Sequence, residues 1–194
     1  LDQDGDDNEW EIITPNMDDD YYTHSGNGMA ASYSYNNGEV LYPDNWLVTP
    51  GITLTDDCAL TFWRRTYNQH YPADHYGVYI STTSHTDISS FTLLYEETPT
   101  SSNYLWEERT ILLTEYANQT VYIAFRHFDC SDEYILFLDD IWVGQLTYID
   151  VSPSDLSLYA SVNGEAIAST SVTTFNLNEG VTATTSSPFS VSIS

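Results

Sequence analysis

The sequence predicts an all-β protein built from antiparallel sheets. Segments rich in β-branched and aromatic residues recur along the chain, and clusters of turn-forming residues separate them. No segment sustains the 3.6-residue period of an amphipathic helix. Hydrophobic residues make up 41% and aromatic residues 14% of the 194 residues, so the chain can bury one β-sandwich core and part of a second.

Five strands are predicted, each dominated by residues that favour a pleated, half-buried surface. In chain order they are LTFWRRTY (60–67), HYGVYIST (75–82), FTLLYEE (91–97), TVYIAFRHF (120–128) and YILFLDDIWV (134–143). The predicted turns are NNG (36–38), NQHYPADH (68–75), TPTSSN (98–103) and CSDE (130–133). Short strands with frequent turns are typical of a sandwich.

The composition changes near Ile149, and this change predicts two domains, residues 1–147 and 148–194. Of the 29 acidic residues, all but Asp155, Glu165 and Glu179 precede residue 151. The end of the chain, PFSVSIS (188–194), alternates apolar residues with serine as a strand does. This second segment weakly resembles the opening strands of a bacterial immunoglobulin-like module. It is too short for a sandwich of about 100 residues, so we expect a partial Ig-like β module.

A partial module leaves one sheet face uncovered and its edges unpaired. Three arrangements remain open for residues 149–194. They pack the apolar face of Phe189, Val191 and Ile193 onto the first domain, they pair with the same segment of a second chain in a homodimer, or they are part of a module that continues beyond this chain. We favour the homodimer, because a strongly acidic first domain offers few apolar docking sites.

The formal net charge of −25 comes from 29 acids against four arginines, with no lysine. Such a chain repels phosphate backbones and anionic lipid surfaces, so we expect neither nucleic-acid binding nor membrane insertion. No run of about 18 apolar residues is present. The chain lacks an initiator Met and a signal peptide, and we expect it to begin inside a longer, processed precursor.

The first seven residues, LDQDGDD, bring several like charges into a short space. Asp2, Asp4 and Asp6 alternate with Gln3 and Gly5, and carboxylate oxygens at alternate positions suit Ca²⁺. An EF-hand is excluded, because its loop needs Gly at position 6 and Glu at position 12, whereas this sequence has Asp and Ile there. From the residues alone, a calcium loop and a solvated acidic face both remain open.

Any calcium loop here would borrow ligands from elsewhere in the fold. Asp139 and Asp140 lie inside an apolar run, LDDI (138–141), where unpaired carboxylates would be costly. Adjacent strand residues point to opposite faces, so one of the two can reach a cation while the other meets water or an arginine.

Six segments, in order, resemble the cleaved-adhesin domain, the module repeated in the haemagglutinin/adhesin regions of gingipain proteases. They are DQDGDDNEW (2–10), PDNWLVTP (43–50), LTFW (60–63), HYGVYIST (75–82), VYIAFRHFDCSD (121–132) and LDDIWV (138–143). The resemblance covers residues 1–145 approximately. It implies a jelly-roll β-sandwich with structural Ca²⁺ at Asp2, Asp4, Asp6, Asp139 and Asp140. The segment 15–28 departs from the family, and we interpret its Asp18–Asp20 run as a solvated loop.

Exposed aromatic residues are the candidates for ligand binding, because rings in loops can stack on sugars or pack on a protein. In the predicted loops HYPADHY and PTSSNYLW, the candidates for ligand binding are Tyr71, Tyr76, Tyr104 and Trp106. Most of the other aromatic residues are expected in the core.

The sequence gives little support for a catalytic Cys–His dyad, a disulfide or a zinc site. His127 and Cys130 are three apart on a predicted strand and would point to opposite faces, which argues against a Cys–His dyad. Spacing gives no sign that Cys58 and Cys130 approach closely enough for a disulfide. His70 and His75 bracket YPAD, but the pair is disfavoured as a zinc site, and neither a hydrolase nor a phosphate-loop motif is present.

The sequence therefore predicts a non-enzymatic, extracellular or bacterial cell-surface adhesion module that uses structural calcium. Its partner would be a host or matrix protein or a glycan. The alternative is a carbohydrate-binding module of a larger glycan-degrading protein, which binding to a defined oligosaccharide would reveal.

Overall fold

The computed structural model describes residues 1–16, 21–100, 104–145, 148–152 and 171–175. The chain divides into two units, Leu1–Gly144 and Gln145–Ser194. The predicted domain boundary at residue 147 lies in the same region. The Asp18–Asp20 run falls outside the described residues, as do Phe189, Val191 and Ile193.

Fourteen strands and two single-turn 3-10 helices, Ile88–Ser90 and Thr114–Tyr116, make up the described secondary structure. The strands are β1 (Glu11–Ile13), β2 (Met29–Tyr33), β3 (Tyr35–Asn36), β4 (Glu39–Val40), β5 (Asn45–Val48), β6 (Ile52–Thr53), β7 (Cys58–Thr66), β8 (Tyr76–Ser81), β9 (Thr92–Glu97), β10 (Glu107–Leu112), β11 (Thr120–His127), β12 (Ile135–Gln145), β13 (Tyr148–Ser152) and β14 (Ser171–Phe175). The all-β prediction is confirmed.

Two five-stranded sheets form the first unit. One has the strand order β1-β2-β12-β7-β10, and we call it the first sheet. The other, the second sheet, has the order β5-β11-β8-β9, with β6 also paired to β11. The register of β11 against β8 is antiparallel and runs from Tyr122 opposite Ser81 to His127 opposite Tyr76.

The core lies between these two sheets. Alternate residues of β7, among them Leu60 and Phe62, meet alternate residues of β11, among them Ile123 and Phe125. The Phe62 and Phe125 rings pack edge to face with centroids 5.0 Å apart, and neither side chain is more than 1% exposed. Side chains with a period of two thus fill the sandwich, as the strand patterns predict.

All five predicted strands are present, whereas three strands of the first sheet, β1, β2 and β10, were not predicted. Strand β2 has the sequence MAASY, and its alanines are poor strand formers that the sheet accepts because both are buried. Strand β10, EERTIL, begins with charged residues and ends the strand order of its sheet. Edge position and small side chains mask the usual strand signal at these two segments.

The predicted turn at NNG joins the hairpin of β3 and β4. Asn37 has φ 50° and Gly38 has φ 91°. Two consecutive left-handed residues are what a tight two-residue hairpin turn requires, and Asn-Gly adopts them at low steric cost.

In the second unit, β13 and β14 form an antiparallel pair with Tyr148 opposite Phe175. The partial Ig-like module and the homodimer through residues 149–194 stay predictions.

Candidate functional site

The N-terminal acidic loop, which we define as residues 2–7, gathers three carboxylates. The oxygens of Asp2, Asp4 and Asp6 lie within 4.8 Å of one another. The backbone turns back at Gly5, with φ 76°, and at Asp7, with φ 64°. Both oxygens of Asp2 accept backbone N–H groups, from Gly5 at 2.7 Å and from Asp7 at 3.3 Å. Local hydrogen bonds therefore help to bring these three side chains together.

Hydrogen bonds fasten the acidic loop to the start of β5. The amide N of Trp46 donates to the Leu1 carbonyl at 2.8 Å, and that of Gln3 donates to the Asp44 carbonyl at 3.0 Å. The Asp44 amide donates to Asp4 Oδ2 at 2.6 Å. A ligand that orders the acidic loop would therefore also stabilise the start of β5 in the second sheet.

Charge in the acidic loop is only partly compensated by the protein. The pKa of Asp2 is lowered, chiefly by the Gly5 amide. Burial raises the pKa of Asp4, with further contributions from the Asp6 and Asp2 charges. The neighbouring Arg126 is held by Asp44, through two hydrogen bonds of 2.7 Å. Three clustered carboxylates with oxygen-only donors fit the ligand preference of Ca²⁺.

Asp139 and Asp140 lie elsewhere, against the segment that precedes β2. Asp139 Oδ2 accepts the amides of His24 at 2.7 Å and Ser25 at 3.3 Å. Asp140 Oδ2 lies 2.6 Å from His24 Nδ1, and its Oδ1 accepts the Ser25 hydroxyl at 2.6 Å. Within the described residues, the close carboxylate group of the acidic loop includes neither aspartate. The expected bridge between the two segments is therefore not formed by these side chains, because the His24–Ser25 segment occupies them.

The His24 ring packs against aromatic side chains on the outer face of the first sheet. Its ring stacks on Trp63 with centroids 3.8 Å apart and an interplanar angle of 14°. The hydrogen bond from His24 lowers the pKa of Asp140. Nearby, the Arg65 guanidinium lies 4.0 Å from the centroid of Tyr22 and is fully buried. The sequence contains no local signal for this group, because its members come from separate segments.

The four aromatic candidates have different environments. Tyr71 is 44% exposed, as expected of a binding residue. Tyr104 and Trp106 are half-buried, and the Trp106 indole N–H donates to the Tyr22 carbonyl at 3.2 Å.

Tyr76 was wrongly predicted to be exposed. It is the first residue of β8 and 0% exposed, and its hydroxyl donates to Glu97 at 2.6 Å. The alternation of Tyr76, Val78 and Ile80 on one face of the strand was the signal that places it in the core.

Tyr71 belongs to an aromatic group at the edge of the sandwich, which we call the tyrosine cluster. The Tyr134 ring lies 5.6 Å from that of Tyr71 and 5.0 Å from that of Tyr35. It also lies 5.6 Å from the ring of Tyr67, which completes the cluster. Tyr134 has φ 86°, an uncommon backbone conformation for an aromatic residue. Strained positions of this kind concentrate at functional sites.

The model of the Cleaved Adhesin Domain family matches residues 1–143. The chain belongs to the cleaved adhesin domain family. Hemagglutinin A of Porphyromonas gingivalis is 37% identical over 163 residues, which cover 74% of this chain and 7% of that protein. Lys-gingipain of the same organism is 34% identical and is matched over 73% of this chain and 9% of its own length. The present chain thus spans less than a tenth of these relatives.

Solved cleaved adhesin domains share the fold. The K1 domain of Lys-gingipain from P. gingivalis W83 is 33% identical, with a TM-score of 0.67, over 75% of this chain and 89% of that one. The K2 domain of Lys-gingipain is also 33% identical, with a TM-score of 0.63, over 73% and 86% of the two chains. This cleaved adhesin domain is therefore a β-sandwich, as predicted.

The described parts of the cleaved adhesin domain contain no helix that is long and apolar enough to cross a membrane.

Cys58 and Cys130 are both free thiols. The argument that His127 and Cys130 point apart was wrong, since His127 Nε2 lies 3.2 Å from Cys130 Sγ. The reason is that β11 ends at His127 and the chain turns at Asp129, with φ 50°, so strand alternation no longer applies. Burial raises the pKa of the Cys130 thiol, and the Asp74 charge raises it further, so the protein alone favours the neutral thiol.

The His70 and His75 side chains have separate partners. His75 lies 2.6 Å from the Thr98 hydroxyl through Nδ1 and 3.0 Å from Glu96 through Nε2. His70 contacts its neighbour Gln69 at 3.4 Å.

Proposed function

We propose that this cleaved adhesin domain is a non-enzymatic, extracellular or cell-surface adhesion module whose acidic loop binds a structural calcium ion. The close approach of Asp2, Asp4 and Asp6 within 4.8 Å is the observation that supports calcium. Like charges this close repel unless a cation neutralises them. Because the loop is tied to Asp44 and Trp46, the ion would stabilise the attachment of the N-terminus to the second sheet.

Calcium is expected to raise the melting temperature of the chain. Binding only to the folded state at a hundredfold excess over Kd adds about 2.7 kcal/mol to the free energy of unfolding. The measurement is thermal unfolding in EDTA and then with added Ca²⁺. As a matched pair, Asp4→Asn should abolish the Ca²⁺-dependent shift, whereas Asp87→Asn, at an exposed carboxylate elsewhere, should keep it. An identical shift in both variants would exclude the acidic loop as the site.

The tyrosine cluster is the proposed adhesive surface, in contact with a host or matrix protein or a glycan. Tyrosine offers a rigid apolar face and a polar hydroxyl, a combination that suits both classes of ligand. Tyr71 is exposed, and Tyr35, Tyr67 and Tyr134 are half-buried beside it, so the cluster presents one connected group of rings. The negative charge of the whole chain favours neutral or cationic partners.

Binding of the Ca²⁺-loaded chain to arrays of matrix proteins and glycans tests this surface. Tyr71→Ala is expected to weaken binding about tenfold or more, as truncation of an interface aromatic does. The matched control is Tyr42→Ala, which removes a ring that is 71% exposed and is not a member of the tyrosine cluster. Equal losses in the two variants would contradict the assignment, and selective binding to a defined oligosaccharide would favour a carbohydrate-binding module.

A further inference from the structure

A second group of potential metal ligands is largely buried. Unlike the acidic loop, it offers nitrogen and sulfur atoms as well as carboxylate oxygens. Ligand atoms of Asp74, His127 and Cys130 lie within 4.8 Å of one another. We call these three residues the thiol site. Asp74 and His127 are each 0% exposed, while Cys130 is half-buried.

The imidazole of His127 is oriented from both sides. Its Nδ1 lies 2.9 Å from the Ser32 hydroxyl, and its Nε2 lies 3.2 Å from Asp74 Oδ1 and 3.2 Å from Cys130 Sγ. The Ser34 hydroxyl donates to Asp74 Oδ1 at 2.6 Å. A histidine that binds a metal through one ring nitrogen usually forms a hydrogen bond to the protein through the other. Here Ser32 would orient Nδ1, and Nε2 would be the metal ligand.

Asp74 retains an oxygen for which the protein provides no hydrogen bond. Its Oδ2 is buried and has no hydrogen-bond partner among the described residues. A buried carboxylate oxygen without a partner is costly. This atom is a second observation, besides the clustering, that points to a cation ligand.

The chemistry of the thiol site selects one class of cation. Sulfur, imidazole nitrogen and carboxylate oxygen are ligands of Zn²⁺, whereas Ca²⁺ takes oxygen alone. Tetrahedral Zn²⁺ places sulfur about 3.5 Å and oxygen about 3.4 Å from the imidazole nitrogen, given its usual bond lengths. Cys130 Sγ and Asp74 Oδ1 each lie 3.2 Å from His127 Nε2, so shifts of a few tenths of an ångström suffice to place Oδ1 as the ligand. A divalent ion deprotonates a coordinating thiol outright.

The thiol site is reached from the surface. Cys130 lines a cavity of about 350 Å³ together with Asp129 and Ser131. The cavity provides an entry path and room for a water molecule as a fourth ligand. We propose that Asp74, His127 and Cys130 bind one thiophilic divalent cation of the Zn²⁺ class, with water from this cavity completing the coordination.

The test is titration of the full chain with Zn²⁺ alone, in saturating Ca²⁺ so that oxygen-only sites are filled. We expect one Zn²⁺ per chain by native mass spectrometry, and a thiolate-to-metal charge-transfer band when Co²⁺ replaces Zn²⁺. Cys130→Ser should remove the band and weaken Zn²⁺ binding at least about tenfold. Cys58→Ala, at the other free thiol, should leave both unchanged.

Two further measurements keep the proposal falsifiable if Cys130→Ser does not fold. In the unaltered chain, Zn²⁺ should slow alkylation of Cys130, and Asp74→Asn should weaken that protection. A wild-type chain without the Co²⁺ band, or with alkylation rates unaffected by Zn²⁺, would overturn the proposal. The His127–Asp74 contact would then be a buried hydrogen bond beside a neighbouring thiol.

Discussion

Replacing Glu97 with alanine is expected to lower the free energy of unfolding by about 3 kcal/mol. Glu97 ends β9 and accepts five hydrogen bonds from the described side chains of Arg64, Arg109, Tyr76 and Tyr95. Arg64 is 3% exposed and retains Glu107 at 2.9 Å, so removal of Glu97 leaves a desolvated cation with one of its two carboxylate partners. Chemical denaturation with a constant m-value would measure the loss.

The neighbouring Glu96 provides a matched control. Its side chain is 45% exposed and contacts only His75 among the described hydrogen-bond partners. Glu96→Ala is expected to change stability by at most about 0.5 kcal/mol. Similar losses in the two variants would show that burial of the Arg64 pair is not what stabilises β9.

The Glu97 carboxylate also makes the free energy of unfolding depend on pH. Burial acts to raise the pKa of Glu97, but the hydrogen bonds from Arg109 and Tyr76 and the charge of Arg64 outweigh it and lower the pKa from 4.5 to about 2. A group whose pKa is lower in the folded state stabilises fully above its unfolded pKa. This stabilisation is therefore lost as pH falls from about 4.5 to about 2, and amounts to about 2 kcal/mol after allowance for solvent screening. Glu97→Gln should flatten this part of the pH profile.

Replacing Phe137 with alanine is expected to cost about 3 to 5 kcal/mol. Phe137 is 0% exposed on β12, where its ring packs against Tyr21 at 5.7 Å. The Arg65 guanidinium lies 4.6 Å from its ring centroid. The variant would both open a cavity and remove one of the rings that face a buried cation.

Thermal melts would reveal this loss as a decrease of about 10 °C in Tm for a domain of this size. Leu112→Ala is the control, because Leu112 lies on a strand of the same sheet but is 65% exposed. A small effect of Phe137→Ala would mean that the buried contacts of Phe137 with Tyr21 and Arg65 contribute little to stability.

Five of the fourteen described strands were predictable, because aromatic and β-branched residues concentrate in them. The five apolar and aromatic segments became β7, β8, β9, β11 and β12, and the Asn37-Gly38 turn closed a hairpin. Strands β1, β2 and β10 of the first sheet were missed, since the small residues of β2 and the edge positions of β1 and β10 carry weak local signals.

The candidate sites were predictable only where their residues are close in sequence. The acidic loop forms from neighbouring aspartates, so its clustering was visible in the alternation of Asp2, Asp4 and Asp6. Asp139 was expected there as well, but its partners are His24 and Ser25, more than 110 residues away. Tyr76 looked like a loop aromatic until its strand placed it inward.

By itself, the amino-acid sequence determined the β-class, the acidic character and the carboxylate loop, because periodicity, charge and turn chemistry act over a few residues. Tertiary structure decided which distant side chains meet. It placed Asp74 beside His127, and the turn after β11 brought Cys130 to the same imidazole. Such contacts depend on strand register and on where each strand ends. A shift of one residue in either moves the following side chains to the opposite face of the sheet.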